Sequence, residues 1–361
     1  MSAALLATQP IEKLLIVRLG SMGDIIHSLP AITALRNAFP EAEIGWVVEE
    51  RWAELLCALA EPRSGPRSPR RPLVNRIHTV DTKEWRRNLI STQTWERVAA
   101  SLSDLRAPRY RHAADFQGAV RSALIARWSG APIVWGARQP RENVASMFYT
   151  RQITTHGSHV VEQNLSLAEA IIGHPLPTSA IEFPRDEVAE KRRDDYLRAG
   201  GIAKFALLNP GAGWGAKQWP ADRYGQVAAA LATHGLKSVV NFGPGEENLA
   251  QVVVESSGGA AVALRCSLGD LIALTRRASL FVGGDTGPMH LAAALQVPVV
   301  ALFGPTDPAR NGPYSHQSIV LRSNLSPTSY TRRAQPDPGL LQITADDVLA
   351  AAKKLLRETL G

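Results

Sequence analysis

Apolar residues along this chain follow two alternating rhythms. Short unbroken runs at Lys13 to Arg18 (KLLIVR), Ile44 to Val48 (IGWVV) and Phe205 to Leu208 (FALL) predict buried strands. Between the first two, Ile25, Ile26, Leu29, Ile32 and Leu35 recur at helical spacing, with Pro30 expected in the first turn, where its missing N–H costs least. Arg51 to Ala60 reads as a helix. Ile77 to Val80 and Tyr110 to Phe116 read as strands with a helix between them, and Gly118 to Trp128 and residues 158–172 as helices. Strand, helix, strand, helix with short connections predicts a parallel sheet covered by helices.

The second half repeats the theme. After the strand at Phe205 comes a glycine-rich turn, Asn209 to Gly215 (NPGAGWG), and a helix from about Ala221. Ser238 to Phe242 is a strand ended by GPGEE at 243–247 and a helix. Leu280 to Val282 and Val299 to Phe303 are strands flanking a Pro288–Leu295 helix, and Ala345 to Leu360 is a final helix that Thr344 caps. At 361 residues the chain exceeds what one core holds. The expected division is an α/β domain over 1–175, a second over 186–335 and a terminal helix at 340–361. Residues 173–186, with three prolines, read as the linker. Residues 61–72 (EPRSGPRSPRRP) hold four prolines and four arginines and read as a flexible basic surface loop.

Composition narrows the function classes. The chain is 45% hydrophobic and 20% charged, as globular proteins are. Its two cysteines, Cys57 and Cys266, exclude a disulfide framework and a cysteine-rich metal site. No apolar run is long enough to span a bilayer, and MSAALLATQPIEKLL lacks the basic start of a secretory signal, so the expected compartment is the cytoplasm. The net charge of +7 is uneven: residues 62–141 carry 16 Lys or Arg against five Asp or Glu. Such an excess attracts phosphates, although a solvated face gives the same count. No zinc-finger or RNP-like motif supports nucleic acid as the partner.

The chemistry concentrates in loops at strand ends, where doubly wound sheets bind ligands. Loops 19–24, 209–217, 243–247 and 283–290 each carry glycine, which lets backbone N–H groups approach an anion at a helix start. In the last, Thr286 and Gly287 would offer N–H groups to a diphosphate, Asp285 would accept sugar hydroxyls, and His290 follows one helical turn on. Helix capping by Asp285 or Thr286 is the plain alternative. Lys217 is placed to neutralise a leaving diphosphate, with surface charge as its alternative. Glu246 or Glu247 would grip ribose hydroxyls or merely favour the helix dipole. Asp24 would take a proton from an attacking hydroxyl or cap the first helix. His27 is read as part of that helix.

Together these stretches resemble glycosyltransferase family 9: Arg18 to Pro30 (RLGSMGDIIHSLP), Trp46 to Glu50 (WVVEE), Asp115 to Gly118 (DFQG), Arg141 to Tyr149 (RENVASMFY), Asp285 to His290 (DTGPMH) and Phe303 to Pro308 (FGPTDP). The likeness runs from about residue 13 to 350 and is greatest to the lipopolysaccharide heptosyltransferase I group. It implies a GT-B fold, two Rossmann-like parallel-sheet domains facing across a cleft, with the final helix crossing back to the first. It also implies metal-independent, inverting transfer of L-glycero-D-manno-heptose from ADP-heptose to Kdo of the lipid A inner core, with no cofactor. On this resemblance Asp24 matches the base and Lys217 the phosphate-binding lysine. Ser21, Gly211, Glu246 or Glu247, Asp285, Thr286, Gly287 and His290 fall to the donor, and Arg63, Gln117, Arg121 and Arg141 to the acceptor. The basic first domain would then meet acceptor anions and, as a peripheral protein, the cytoplasmic face of an anionic inner membrane. Heptosyltransferase II, another family 9 transferase, and a non-catalytic sugar-nucleotide or nucleic-acid binder are the competing expectations. The 209–217 turn departs from the group's pattern, with Gly and Ala where hydroxyl side chains would sit, and 326–329 lacks the cysteines many members carry.

Overall fold

The computed structural model describes residues 11–88, 91–175 and 181–360; the first ten residues and the middle of the expected linker lie outside them. The chain divides into two compact units, Met1–Arg185 and Asp186–Gly361.

In the first unit six strands, β1 (Lys13–Val17), β2 (Glu43–Glu49), β3 (Arg76–Val80), β4 (His112–Asp115), β5 (Ile133–Ala137) and β6 (Arg151–Ile153), form one sheet in the order β3-β2-β1-β4-β5-β6. Every pairing is parallel. Its helices are α1 (Met22–Ala38), α2 (Thr82–Arg87), α3 (Thr92–Arg106), α4 (Val120–Trp128) and α5 (Val160–Ile172). Leu14 to Val17 are fully buried, as an unbroken apolar run requires in a strand covered on both faces.

The second unit repeats the order. Its strands are β7 (Phe205–Asn209), β8 (Lys237–Phe242), β9 (Ala261–Arg265), β10 (Leu280–Gly284), β11 (Val299–Phe303) and β12 (Ser318–Arg322), arranged β12-β11-β10-β7-β8-β9 and again parallel. Around them lie α6 (Glu187–Ala199), α7 (Ala221–Ala232), α8 (Glu247–Ser256), α9 (Leu268–Thr275), α10 (Gly287–Ala294), α11 (Pro308–Asn311) and α12 (Ala345–Leu360). In each sheet the order reverses beside the first strand, between β1 and β4 and between β7 and β10. Loops leaving those neighbours diverge and open a crevice, the place where such sheets bind ligands.

Three expectations change. Pro30 does not lie in the first turn: Ser21 caps α1 early enough that the proline is its ninth residue. It is half-buried in the body of the helix, which packs on α5, where Asn164 Nδ2 donates to the His27 carbonyl at 3.1 Å. Arg51 to Ala60 forms only a short 3-10 turn, Glu50–Leu55. Residues 61–72 lie mostly at the surface, as expected, but they are held together rather than loose, because Arg71 is 1% exposed and organises them. Its guanidinium donates to the carbonyls of Pro62, Pro66 and Val74, adding donors where the prolines supply none, while the Arg71 backbone pairs with Ser68. The terminal helix α12 buries Val348, Ala351, Ala352 and Leu355 in the core of the second unit, against α7, β11 and β12. Its cap is the expected one: Thr344 Oγ1 accepts from Asp347 N at 3.1 Å, and Thr344 N donates to Asp347 Oδ2 at 2.9 Å.

Candidate functional site

Each unit carries one polar constellation at its switch point. In the first, β1 ends at Val17 and the chain turns through residues 18–21 into α1. Asp24, the third residue of that helix, accepts at Oδ2 from Ser21 N (3.0 Å) and Ser21 Oγ (3.1 Å). Its Oδ1 pairs with Arg18 Nη2 at 2.8 Å. The capping and ligand readings therefore do not compete, since one carboxylate oxygen closes the helix while the other meets a cation. Arg18 is the buried partner, with 7% of its side chain exposed, while Asp24 keeps 36%. Burial works to raise the Asp24 pKa, but Arg18, the two Ser21 hydrogen bonds and the charge of Arg141 together lower it. The group is an ionised, partly exposed acceptor of protons.

Beside it, the loop after β4 is folded around Asp115, which sits opposite Val17 in the register. The Asp115 carboxylate accepts from Gln117 N (2.8 Å), Gly118 N (3.2 Å), Ser122 Oγ (2.9 Å) and Tyr149 Oη (2.7 Å). The loop in turn grips the β1 loop: Phe116 O accepts from Arg18 Nη1, and Gln117 Oε1 accepts from Leu19 N at 2.9 Å.

In the second unit Asp285 follows β10. Its Oδ2 pairs with Lys217 Nζ at 2.6 Å and its Oδ1 lies 3.2 Å from His290 Nε2. Asp285 does not cap α10, and Thr286 Oγ1 turns to Gly284 O (3.3 Å), so the N–H groups that open this helix carry no side-chain cap. Burial pushes the Asp285 carboxyl up, yet His290 and Lys217 outweigh it and hold the group far below the usual carboxylate range. Lys217 also lies 4.4 Å from the Trp214 ring centre. Trp219, two residues on, is buried and donates to Ile343 O at 2.9 Å, which fixes the end of this turn.

The loops after β7 and β8 meet at Gly211. A Cβ there would overlap the Glu246 carboxylate, so only glycine admits this approach. Glu246 also accepts from Gly243 N at 2.8 Å, whereas Glu247 is exposed at the helix start. At the ends of the same strands, buried Asn241 donates to Asn209 Oδ1 (2.8 Å), and Asn209 donates to Gly211 O (3.1 Å).

The expected acceptor residues divide. Arg141 is exposed and its charge reaches Asp24. Gln117 is buried and spends its side-chain carbonyl on Leu19, which makes it part of the loop's frame. Arg63 is paired with Glu50 and Thr79, and Arg121 lies 3.3 Å from Thr82 Oγ1. The sequence reading assigned no role to Arg18, Asp115 or Tyr149. The signal was present: Arg18 and Asp115 are charged residues that directly end or follow apolar strands.

Comparisons with known proteins bear on this arrangement. The sequence profile of "Glycosyltransferase family 9 (heptosyltransferase)" matches residues 98–339. Lipopolysaccharide heptosyltransferase 1 of Pseudomonas aeruginosa is 32% identical over 320 residues, covering 87% of this chain and 84% of that protein. The solved structure of E. coli heptosyltransferase WaaC with ADP aligns with a TM-score of 0.77 at 27% identity, over 95% of this chain and 99% of that one. The same enzyme with ADP-2-deoxy-2-fluoro heptose aligns with a TM-score of 0.74 at 27% identity, over 96% and 99%.

Proposed function

The chain belongs to glycosyltransferase family 9, and from that premise we propose that it is an inverting heptosyltransferase that moves L-glycero-D-manno-heptose from ADP-heptose to Kdo of the lipopolysaccharide inner core. The observation that carries this reading is the opposite polarity of the two switch-point pairs. In the first unit the cation is the buried anchor and the carboxylate is presented. In the second the carboxylate is the more deeply buried anchor of a lysine beside a glycine turn and an uncapped helix start. A displacement that takes a proton from a hydroxyl and releases a nucleoside diphosphate needs these two environments.

In this reading the donor binds to the second unit. Its diphosphate meets Lys217 and the N–H groups of Thr286 and Gly287, while Glu246, the residue turned to Gly211, takes the ribose hydroxyls. Asp285 holds Lys217 and His290 in place and accepts from the sugar. The acceptor hydroxyl gives its proton to Asp24 as its oxygen forms the bond to the anomeric carbon. The bond to ADP breaks on the opposite face, and the electron pair leaves with the diphosphate, where Lys217 offsets the charge. Asp24 is a weak base at rest, so proton transfer accompanies bond formation, when the hydroxyl has become acidic.

Arg141, Arg63 and Arg121 are suited to the carboxylates and phosphates of a Kdo-lipid A acceptor. The basic span 62–141 is suited to an anionic membrane surface on the cytoplasmic side. Among the described residues no helix is long and apolar enough to cross a membrane. The test is purified protein with ADP-heptose and Kdo-lipid A, following ADP release and product mass. Failure with this pair but turnover with another nucleotide sugar would keep the family and overturn the specificity. ADP binding without any turnover would favour a sensor. Activity on the lipid-linked acceptor should fall with rising salt, and constancy would remove the electrostatic part.

A further inference from the structure

Asp24 is held from two sides, and only one of them belongs to its own helix. The Ser21 contacts are local. The contact at Oδ1 comes from Arg18, whose buried guanidinium has two bonded partners among the described residues, Asp24 and Phe116 O, while its Nε is enclosed without one. The position of Phe116 O is therefore decisive for where Arg18 points.

That carbonyl is fixed by a buried bracket. Asp115 is 2% exposed and draws Gln117 N and Gly118 N back over its carboxylate. Gly118 takes a φ of +67°, and a Cβ there would lie 2.9 Å from Arg141 N, so the turn tolerates no larger residue without strain. Tyr149 reaches the same carboxylate from beyond β5, its ring packed so closely on Gly136 that a Cβ there would overlap it. Gln117 adds the second grip, on Leu19 N.

We propose that Tyr149, Asp115 and Gln117 are positioning residues for Asp24, acting through Arg18 and Leu19 to hold the base in its reactive orientation. This rests on the reading of Asp24 as the base. Loosening the bracket lets Arg18 leave the carboxylate. The carboxylate then loses the Arg18 attraction that helps hold its pKa down, leaving the Ser21 hydrogen bonds and Arg141 alone to oppose burial, so its pKa rises. The consequence is lower kcat together with an acid limb of the kcat profile displaced to higher pH.

The experiment compares Asp24→Asn, Tyr149→Phe, Gln117→Ala and Arg18→Lys in the full-length protein, using kcat against pH, ADP affinity by calorimetry and thermal unfolding. With Asp24→Asn inactive, Tyr149→Phe and Gln117→Ala are expected to lose about 10- to 100-fold in kcat. Their ADP affinity should stay within about twofold and their acid limbs should move upward. Arg18→Lys, which keeps the charge but reaches one partner at a time, should lie between them and wild type. Wild-type kcat in both bracket variants, or a lowered kcat with an unmoved acid limb, would overturn the inference while leaving the base in place. Full activity of Asp24→Asn would instead remove the underlying reading. Should Tyr149→Phe unfold, Gln117→Ala, which cuts a contact to Leu19 and none to the Asp115 carboxylate through its side chain, decides alone.

Discussion

The two halves of this protein have the same strand order and the same switch point, and each places an aspartate and a cation there. They differ in which partner is buried. Arg18 is enclosed and offers Asp24 outward, whereas Asp285 is enclosed and braces Lys217 beside backbone N–H groups. The fold supplies a crevice twice; the more exposed partner of the ion pair is the carboxylate in the first and the lysine in the second. A repeated architecture can thus serve proton removal in one unit and anion binding in the other without any change of topology.

The largest test of this contrast is Asp24→Asn. It should lower kcat by about 10²–10⁴-fold with ADP affinity unchanged, since a base contributes on that scale. Equal losses in turnover and donor binding would return Asp24 to its capping role alone. Next is Lys217→Met, which leaves the buried Asp285 carboxylate with His290 as its remaining partner. Unfolding stability should fall by about 3–5 kcal/mol, and ADP affinity should fall with it. Adding Asp285→Asn should restore much of the stability but none of the affinity. Recovery of both would mean that Lys217 serves structure only.

Acid titration separates the pairs further. Asp24 and Asp285 are both held below their ordinary values, so their pairing stabilises the fold above the unfolded pKa, near 4, and that stability is lost as pH falls through the folded values. In Lys217→Met burial gains weight at Asp285, so the stability gap to wild type should narrow on acidification from pH 7 to about 4. Urea midpoints along that range check the sign, and a gap that widens would contradict the assigned cause. The smallest expected effect is Gly211→Ala, which forces Glu246 off the turn. ADP affinity should weaken by about 1–2 kcal/mol, the scale of one lost hydrogen bond to a charged group. AMP affinity should weaken equally, because the contact proposed is to the ribose.

Much of this was legible along the chain. The apolar runs gave the strand interiors because a strand buried on both faces must be continuously apolar, and the glycine loops marked the strand ends. Asp24, Lys217, Asp285 and His290 stood out because charged residues rarely follow such runs without a partner or a ligand. The short outer strands β6, β9 and β12 were harder to see, since edge strands are half exposed and lose the unbroken pattern. Residues 61–72 misled for a related reason. Composition reports an average, while one buried arginine with three carbonyl acceptors is enough to order a proline-rich loop.

By itself, then, the sequence determined the two parallel-sheet units, the loops that carry chemistry and the family, because periodicity, glycine spacing and motif order are all local properties. The tertiary structure decided what each charged residue faces. That Arg18 meets Phe116 O as well as Asp24, that Tyr149 meets Asp115, that Glu246 and not Glu247 turns to Gly211, and that Gln117 points inward to Leu19 all depend on contacts between residues far apart in the chain. Ion pairing and burial are set by three-dimensional neighbours, and no local pattern encodes which end of a salt bridge meets solvent.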